Sequence, residues 1–169
     1  MVIIQIDSRE KSKAIKGILR EFERQGVKYY ISKLYVGDYM SLDNPKLVID
    51  RKQNLNEVAS NVCQDHERFI NELKRAQEVG IHVVILVEHG RAVKSLSDVV
   101  WWENPRLKES PKAIRGEVLY KIMKTISERY DMEWRFCEKS QTGKEILRIL
   151  QNEQRRDIAD SQPEDGAGR

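Results

Sequence analysis

The stretch Tyr35-Val36-Gly37-Asp38-Tyr39-Met40-Ser41-Leu42-Asp43-Asn44-Pro45-Lys46-Leu47-Val48-Ile49-Asp50-Arg51-Lys52 decides the fold. Two apolar runs, Tyr39 to Leu42 and Leu47 to Ile49, flank Asp43-Asn44-Pro45-Lys46, a cluster of strong turn formers. This pattern predicts a β-hairpin. Asp38 enters the first strand and Asp50 leaves the second, so both acids stand at the open end of the hairpin and meet in space. Side chains alternate along a strand, so Asp50 and Lys52 share one face and Arg51 takes the other. A one-residue slip of register would reverse those faces.

Outward from the hairpin, strand and helix signals alternate. Val2 to Ile6 is a short β-branched run stopped by Asp7-Ser8-Arg9-Glu10, as in a buried strand. Ala14, Ile15, Ile18, Leu19 and Phe22 have helical spacing over 12–25, with Gly26 as terminator. Val27, Tyr29 and Ile31 alternate as in a half-exposed strand. Downstream, Phe69, Ile70, Leu73 and Ala76 predict an amphipathic helix over 66–79. Ile81 to Val87 is apolar throughout, as expected of a strand covered on both faces. Residues 91–111 are irregular, 112–130 form a second helix, Glu133 to Cys137 a short strand, and Lys144 to Leu150 a closing helix. The reading is α/β, with a mixed central sheet flanked by helices. It divides the chain into one domain over 1–151 and a polar, disordered tail over 152–169.

Composition sets the bounds. The 169 residues suffice for one domain with a real core. Thirty Lys and Arg nearly balance 27 Asp and Glu, so a nucleic-acid surface requires segregation of charge by the fold. Cys63 and Cys137 lack neighbours at zinc-ligand spacing, which argues against a zinc site or disulfide scaffold and for two buried or half-buried free thiols. The apolar start is too short for a signal peptide, and no run approaches a bilayer span. A cytoplasmic protein is expected, with no membrane partner.

Asp38, Asp50 and Lys52 are the group types that metal-assisted phosphodiester cleavage needs. Carboxylates hold a hard divalent cation, and a lysine offsets charge at the phosphate. An acid-x-lysine pair alone is common, and its bland counterpart is a surface ion pair worth little. Three ordered motifs make it specific: Ile6-Asp7-Ser8-Arg9-Glu10, then Gly37-Asp38-Tyr39, then Asp50-Arg51-Lys52-Gln53-Asn54-Leu55-Asn56. With weaker agreement at Arg68-Phe69, Leu86-Val87-Glu88 and Thr142 to Leu150, the chain resembles the nuclease domain of the XPF/Hef-like structure-specific endonucleases over roughly 1–150. These belong to the PD-(D/E)xK superfamily.

The resemblance implies a restriction-endonuclease-like fold and a Mg²⁺- or Mn²⁺-dependent endonuclease acting on flap, fork or junction DNA. It implies Asp38 and Asp50 as metal ligands, Lys52 facing the scissile phosphate or the attacking water, and Asp7 approaching the same cluster. Arg9, Glu10 and Arg51 would orient the acids or touch phosphate, with a structural salt bridge the equal alternative for Arg51 and Glu10. The sequence departs from the family twice. Asp50 stands where Glu is usual, which keeps a carboxylate with shorter reach. Asn56 stands where Asp is usual, and it carries no charge and cannot act as a base. It would lower activity or order the loop, with Glu57 or Asp65 as stand-in acids.

The remaining features stay open. Trp101-Trp102 could stack on unpaired bases, but half-buried packing or an interface is favoured. His82 and His89 are bystanders, and His66 sits near the motif. Lys112, Arg115, Lys121, Lys124 and Arg129 form a solvated helix face or touch DNA. Many XPF-like nucleases carry a tandem helix-hairpin-helix module after the nuclease domain, and the chain stops soon after 150. A homodimer or protein partner is therefore expected to support DNA binding, which is otherwise weak and salt-sensitive. The competing class is a catalytically weak or inactive nuclease-fold module for dimerisation and DNA docking.

Overall fold

The computed structural model describes residues 2–160, with side chains to Asn152. Six strands form one mixed sheet in the order β2-β1-β3-β4-β5-β6: β1 (Ile3–Ile6), β2 (Lys28–Ile31), β3 (Tyr39–Ser41), β4 (Asn44–Lys52), β5 (His82–Glu88) and β6 (Met132–Cys137). β1 pairs parallel with β2 and antiparallel with β3, β3 pairs antiparallel with β4, and β4, β5 and β6 run parallel. Each face carries its own apolar core. On one, Val48, Val83, Ile85 and Val87 pack against α2 (Leu55–Cys63), α3 (His66–Glu78) and α4 (Gly116–Arg129). On the other, Ile4, Ile6, Leu47, Ile49 and Leu86 pack against α1 (Lys16–Arg24) and α5 (Thr142–Asp160). The apolar run of β5 thus feeds both cores, which is why its sequence lacks alternation.

The expected mixed α/β sheet is the observed one, with local differences. The hairpin turn is Leu42-Asp43, earlier than the Asp43–Lys46 cluster. Ser41 pairs with Asn44 across a register irregularity, and Pro45 sits inside β4, where a bulge tolerates its missing donor. The first helix begins at Lys16, after a turn-rich stretch, rather than near Ser12.

α2 has no counterpart in the apolar-period reading. Its signal was polar: Asn54 Oδ1 accepts the Glu57 N–H at 2.9 Å, and Glu57 reaches back to the Gln53 N–H at 2.7 Å. Asn at the cap followed three residues later by Glu is a capping pattern.

The closing helix runs past Leu150 to Asp160, and the rest of the expected polar tail, 161–169, lies outside the described residues. Cys63, the last residue of α2, is exposed rather than buried, while Cys137 is half-buried. No helix among the described residues is long and apolar enough to cross a membrane.

Candidate active site

The site is built on the open end of the hairpin. Tyr39 pairs with Ile49, so Asp38 stands just before the first paired residue of β3, beside the end of β4 that carries Asp50. The Asp38 N–H donates to the Ile49 carbonyl at 2.8 Å, and the Arg51 N–H donates to Asp38 Oδ2 at 2.7 Å. Gly37 makes this approach possible. Its φ is +75°, and a Cβ there would stand 3.1 Å from the Ile49 carbonyl oxygen and from Val48 Cβ.

Lys52 Nζ lies 3.1 Å from Asp50 Oδ1, both side chains being mostly covered. Burial, then Asp50, then Glu10 push the Asp38 carboxyl well above the usual range, against the Arg51 N–H and Lys52, which hold it down. Burial alone would lower the Lys52 ammonium, but Asp50, Asp38 and Glu57 reverse this and raise its pKa. A buried carboxyl pushed up by burial and by a neighbouring acid is a site that a cation would relieve.

The donor set fits a hard divalent ion that keeps waters and takes one or two carboxylates. Among the described residues no three Asp, Glu, His or Cys side chains converge as a ready-made cage. Asp38 and Asp50 would therefore hold such an ion with waters or phosphate oxygens completing its shell.

Arg51 lies on the opposite face of β4. Its buried guanidinium donates to Glu10 at 2.8 and 3.2 Å and to Glu88 at 3.2 Å. Tyr39 donates its hydroxyl to Glu10 at 2.7 Å, and Thr142 donates to Glu88 at 3.0 Å. Glu10 and Arg51 thus form a structural ion pair that ties the segment after β1 to β4, β5 and α5. This arrangement removes Arg51 from the side on which Asp50 and Lys52 stand. Glu88 and Thr142 carried only weak motif agreement in the sequence. Their place in this network depends on β5 and α5 packing beside β4, which no local spacing reveals.

Asp7 is fully buried and does not join the facing pair. Its Oδ1 accepts from the Arg9 N–H and Nε, and its Oδ2 accepts from Arg9 Nη2 and from the Leu34 N–H at 2.7 Å. With both oxygens committed, Asp7 and Arg9 clasp the end of β1 to the loop that leads into Asp38. Burial would raise its pKa, but the Arg9 guanidinium and the Leu34 and Arg9 amides more than offset this and lower it.

Asn56 sits in the first turn of α2, with its Oδ1 buried and without a hydrogen-bond partner. Of the two stand-in acids, Glu57 acts on Lys52. Asp65 instead precedes α3 and lines an open groove with Arg9, Arg68 and Arg75.

His66, His82 and His89 stay outside the cluster, bonded respectively to the Val62 carbonyl, to Asp131, and in edge contact with Trp102. The tryptophan pair divides: Trp102 packs against the core, whereas Trp101 is 83% exposed.

The sequence matches the ERCC4 domain over residues 6–150, and comparison with curated proteins finds no match. Among solved structures, the fold is similar to XPF from Aeropyrum pernix, with a TM-score of 0.64 at 19% identity. That match covers 94% of this chain and 69% of the other. XPF from the same organism in complex with DNA matches with a TM-score of 0.63 at 19% identity, covering 98% of this chain and 76% of that one. The mixed sheet flanked by helices is thus the restriction-endonuclease-like fold of the XPF nuclease domain, and the chain belongs to the ERCC4 domain family.

Proposed function

We propose that the chain is a divalent-metal-dependent endodeoxyribonuclease that cuts branched DNA such as flaps, forks or junctions. The observation that carries this reading is the nearness of Asp38 and Asp50 at the open end of the β3–β4 hairpin, with Lys52 paired to Asp50 on the same face of β4. Family membership supports nuclease chemistry, and the A. pernix relative is known in complex with DNA.

Asp38 and Asp50 would hold Mg²⁺ or Mn²⁺, which when bound polarises the phosphoryl oxygens and lowers the pKa of a water. The chain's own residues supply the rest. The Arg51 N–H fixes one Asp38 oxygen. Lys52 is kept protonated by its acidic neighbours, so it offers a cation to charge developing on phosphate. The buried Arg51–Glu10–Glu88 network holds the strands that carry both acids. A second copy of the chain or a protein partner completes the DNA grip, as the resemblance implies.

The test is cleavage of labelled fork, flap, junction and linear duplex DNA in Mg²⁺, Mn²⁺ or EDTA, beside Asp38→Ala and Lys52→Ala. Metal-dependent cutting of the branched substrates, lost in both variants, is expected. No cutting in either metal would assign the chain to the class of docking modules, and variants that cut like the parent would dismiss this site.

A further inference from the structure

Asn56 is out of keeping with its surroundings in two respects: it lacks the charge usual at its motif position, and its buried Oδ1 has no partner. It lines a pocket of about 310 Å³ between α2 and the 104–114 loop, together with Ser60, Gln64, Arg106, Ser110 and Lys112. The lining includes two cations and hydroxyl and amide groups, and no carboxylate. Among the described residues, neither the Arg106 guanidinium nor the Lys112 ammonium has a carboxylate partner.

The loop that carries these cations is fixed. Asn104 is buried, accepts the Arg106 N–H at 3.0 Å and donates its Nδ2 to the Ile114 carbonyl at 2.8 Å. Two exposed cations on an anchored loop, with hydroxyl and amide groups beside them, suit a phosphate.

We infer that this pocket seats a backbone phosphate of the bound DNA within a few nucleotides of the one being cut. The inference rests on the reading of the chain as a DNA nuclease and adds a strand-positioning site to it. Arg106 and Lys112 neutralise the phosphate charge. The Ser110 hydroxyl and the amide of Asn56, which can turn its Nδ2 outward, donate to its oxygens.

A carboxylate at position 56 would face the same two cations and compete with the phosphate. The neutral Asn56 therefore suits the pocket where Asp would not. Location supports the assignment. Asn56 follows Lys52 by four residues, so their Cα atoms are within about 14 Å, a span of a few nucleotides at roughly 3.4 Å of rise each.

The exposed thiol of Cys63 lines the same pocket and serves as a built-in probe. The experiment measures Cys63 alkylation on the whole chain in EDTA, with fork DNA, with inorganic phosphate and with neither. It also measures DNA affinity against salt for the parent, Arg106→Ala/Lys112→Ala and Asn56→Asp. DNA should slow Cys63 alkylation severalfold in the parent, and this protection should vanish in the double variant. The double variant should bind DNA about tenfold more weakly at low salt, with the log–log salt slope reduced by about one. Asn56→Asp should weaken binding in the same direction.

Equal alkylation rates with and without DNA would overturn the inference, whether or not the chain cuts. Protection by inorganic phosphate combined with an unchanged salt slope in the double variant would make the pocket a free-anion site, and equally overturn it. EDTA keeps the outcome separate from the nuclease reading. A chain that never cuts in metal but shows protected Cys63 and a reduced slope loses that reading and keeps the pocket.

Discussion

Arg51 binds Asp38 through its backbone and the acids beneath it through its side chain: its N–H donates to Asp38 Oδ2 at 2.7 Å while its guanidinium closes on Glu10 and Glu88. One residue thereby fixes an acid on one face of the sheet and an ion-pair network on the other. Position in a strand dictates this division, since neighbouring side chains must point apart.

Removing the Arg51 side chain should be costly. Arg51→Met leaves Glu10 and Glu88 without their cation in a buried setting, and a loss of about 3–5 kcal/mol is expected from urea denaturation. Arg51→Lys keeps the charge but not the fork that meets both Glu10 oxygens, so it should fall between the two. Unchanged stability in Arg51→Met would mean that the network contributes nothing net.

Asp38→Asn should raise the melting temperature of the metal-free protein at neutral pH. The folded-state pKa of Asp38 is raised by burial, Asp50 and Glu10, so the folded state holds its proton longer than the unfolded chain does. Its contribution is therefore best at acidic pH and is lost as pH rises from the ordinary carboxylate range through the raised folded value. The amide oxygen can still accept the Arg51 N–H. A gain of about 3–6 °C in EDTA is expected, from roughly 1–2 kcal/mol in a domain of this size. Melting below the parent in EDTA would contradict this, as would metal stabilising the variant as strongly as the parent.

Asp7 should show the opposite pH dependence. Its folded pKa is lowered, chiefly by Arg9 and the Leu34 amide acting against burial. It contributes stability above the unfolded value of about 3.9, and this is lost as pH falls through the lower folded value. The stability gap between the parent and Asp7→Asn should be widest near neutrality and shrink on acidification toward pH 3. A gap that stays constant across that range would remove Asp7 as an ionised clasp.

Gly37→Ala tests the approach to Asp38. The positive φ costs a β-carbon about 1–2 kcal/mol, and the added methyl would press on the Ile49 carbonyl and Val48. Lower thermal stability is expected together with weaker metal binding, since the strain falls directly beside Asp38. Parent-like metal affinity would separate Gly37 from the site.

Thiol chemistry provides a simple check on burial. Burial pushes the Cys137 thiol up to about 11, so it stays protonated at neutral pH. Alkylation followed by mass spectrometry should label exposed Cys63 first and Cys137 only on unfolding. Cys137 reacting as fast as Cys63 in the native protein would contradict the packing of β6 against α5.

The sequence by itself determined the hairpin, the alternation that puts Asp50 and Lys52 on one face, and the strand–helix order of a mixed α/β sheet. These follow from local chemistry, because turn residues, periodicity and the two-residue repeat of a strand act over a few positions. The capping of α2 by Asn54 and Glu57 was legible in the same way, but it is a polar pattern in a stretch where apolar spacing is weak. Only the tertiary structure decided that Asp7 belongs to Arg9 and Leu34, and that Glu88 and Thr142 share the Arg51 network. It alone brought Asn56 opposite Arg106 and Lys112. In each case the partner comes from a distant segment, and which acid meets a cation depends on strand order and helix packing that no local spacing encodes.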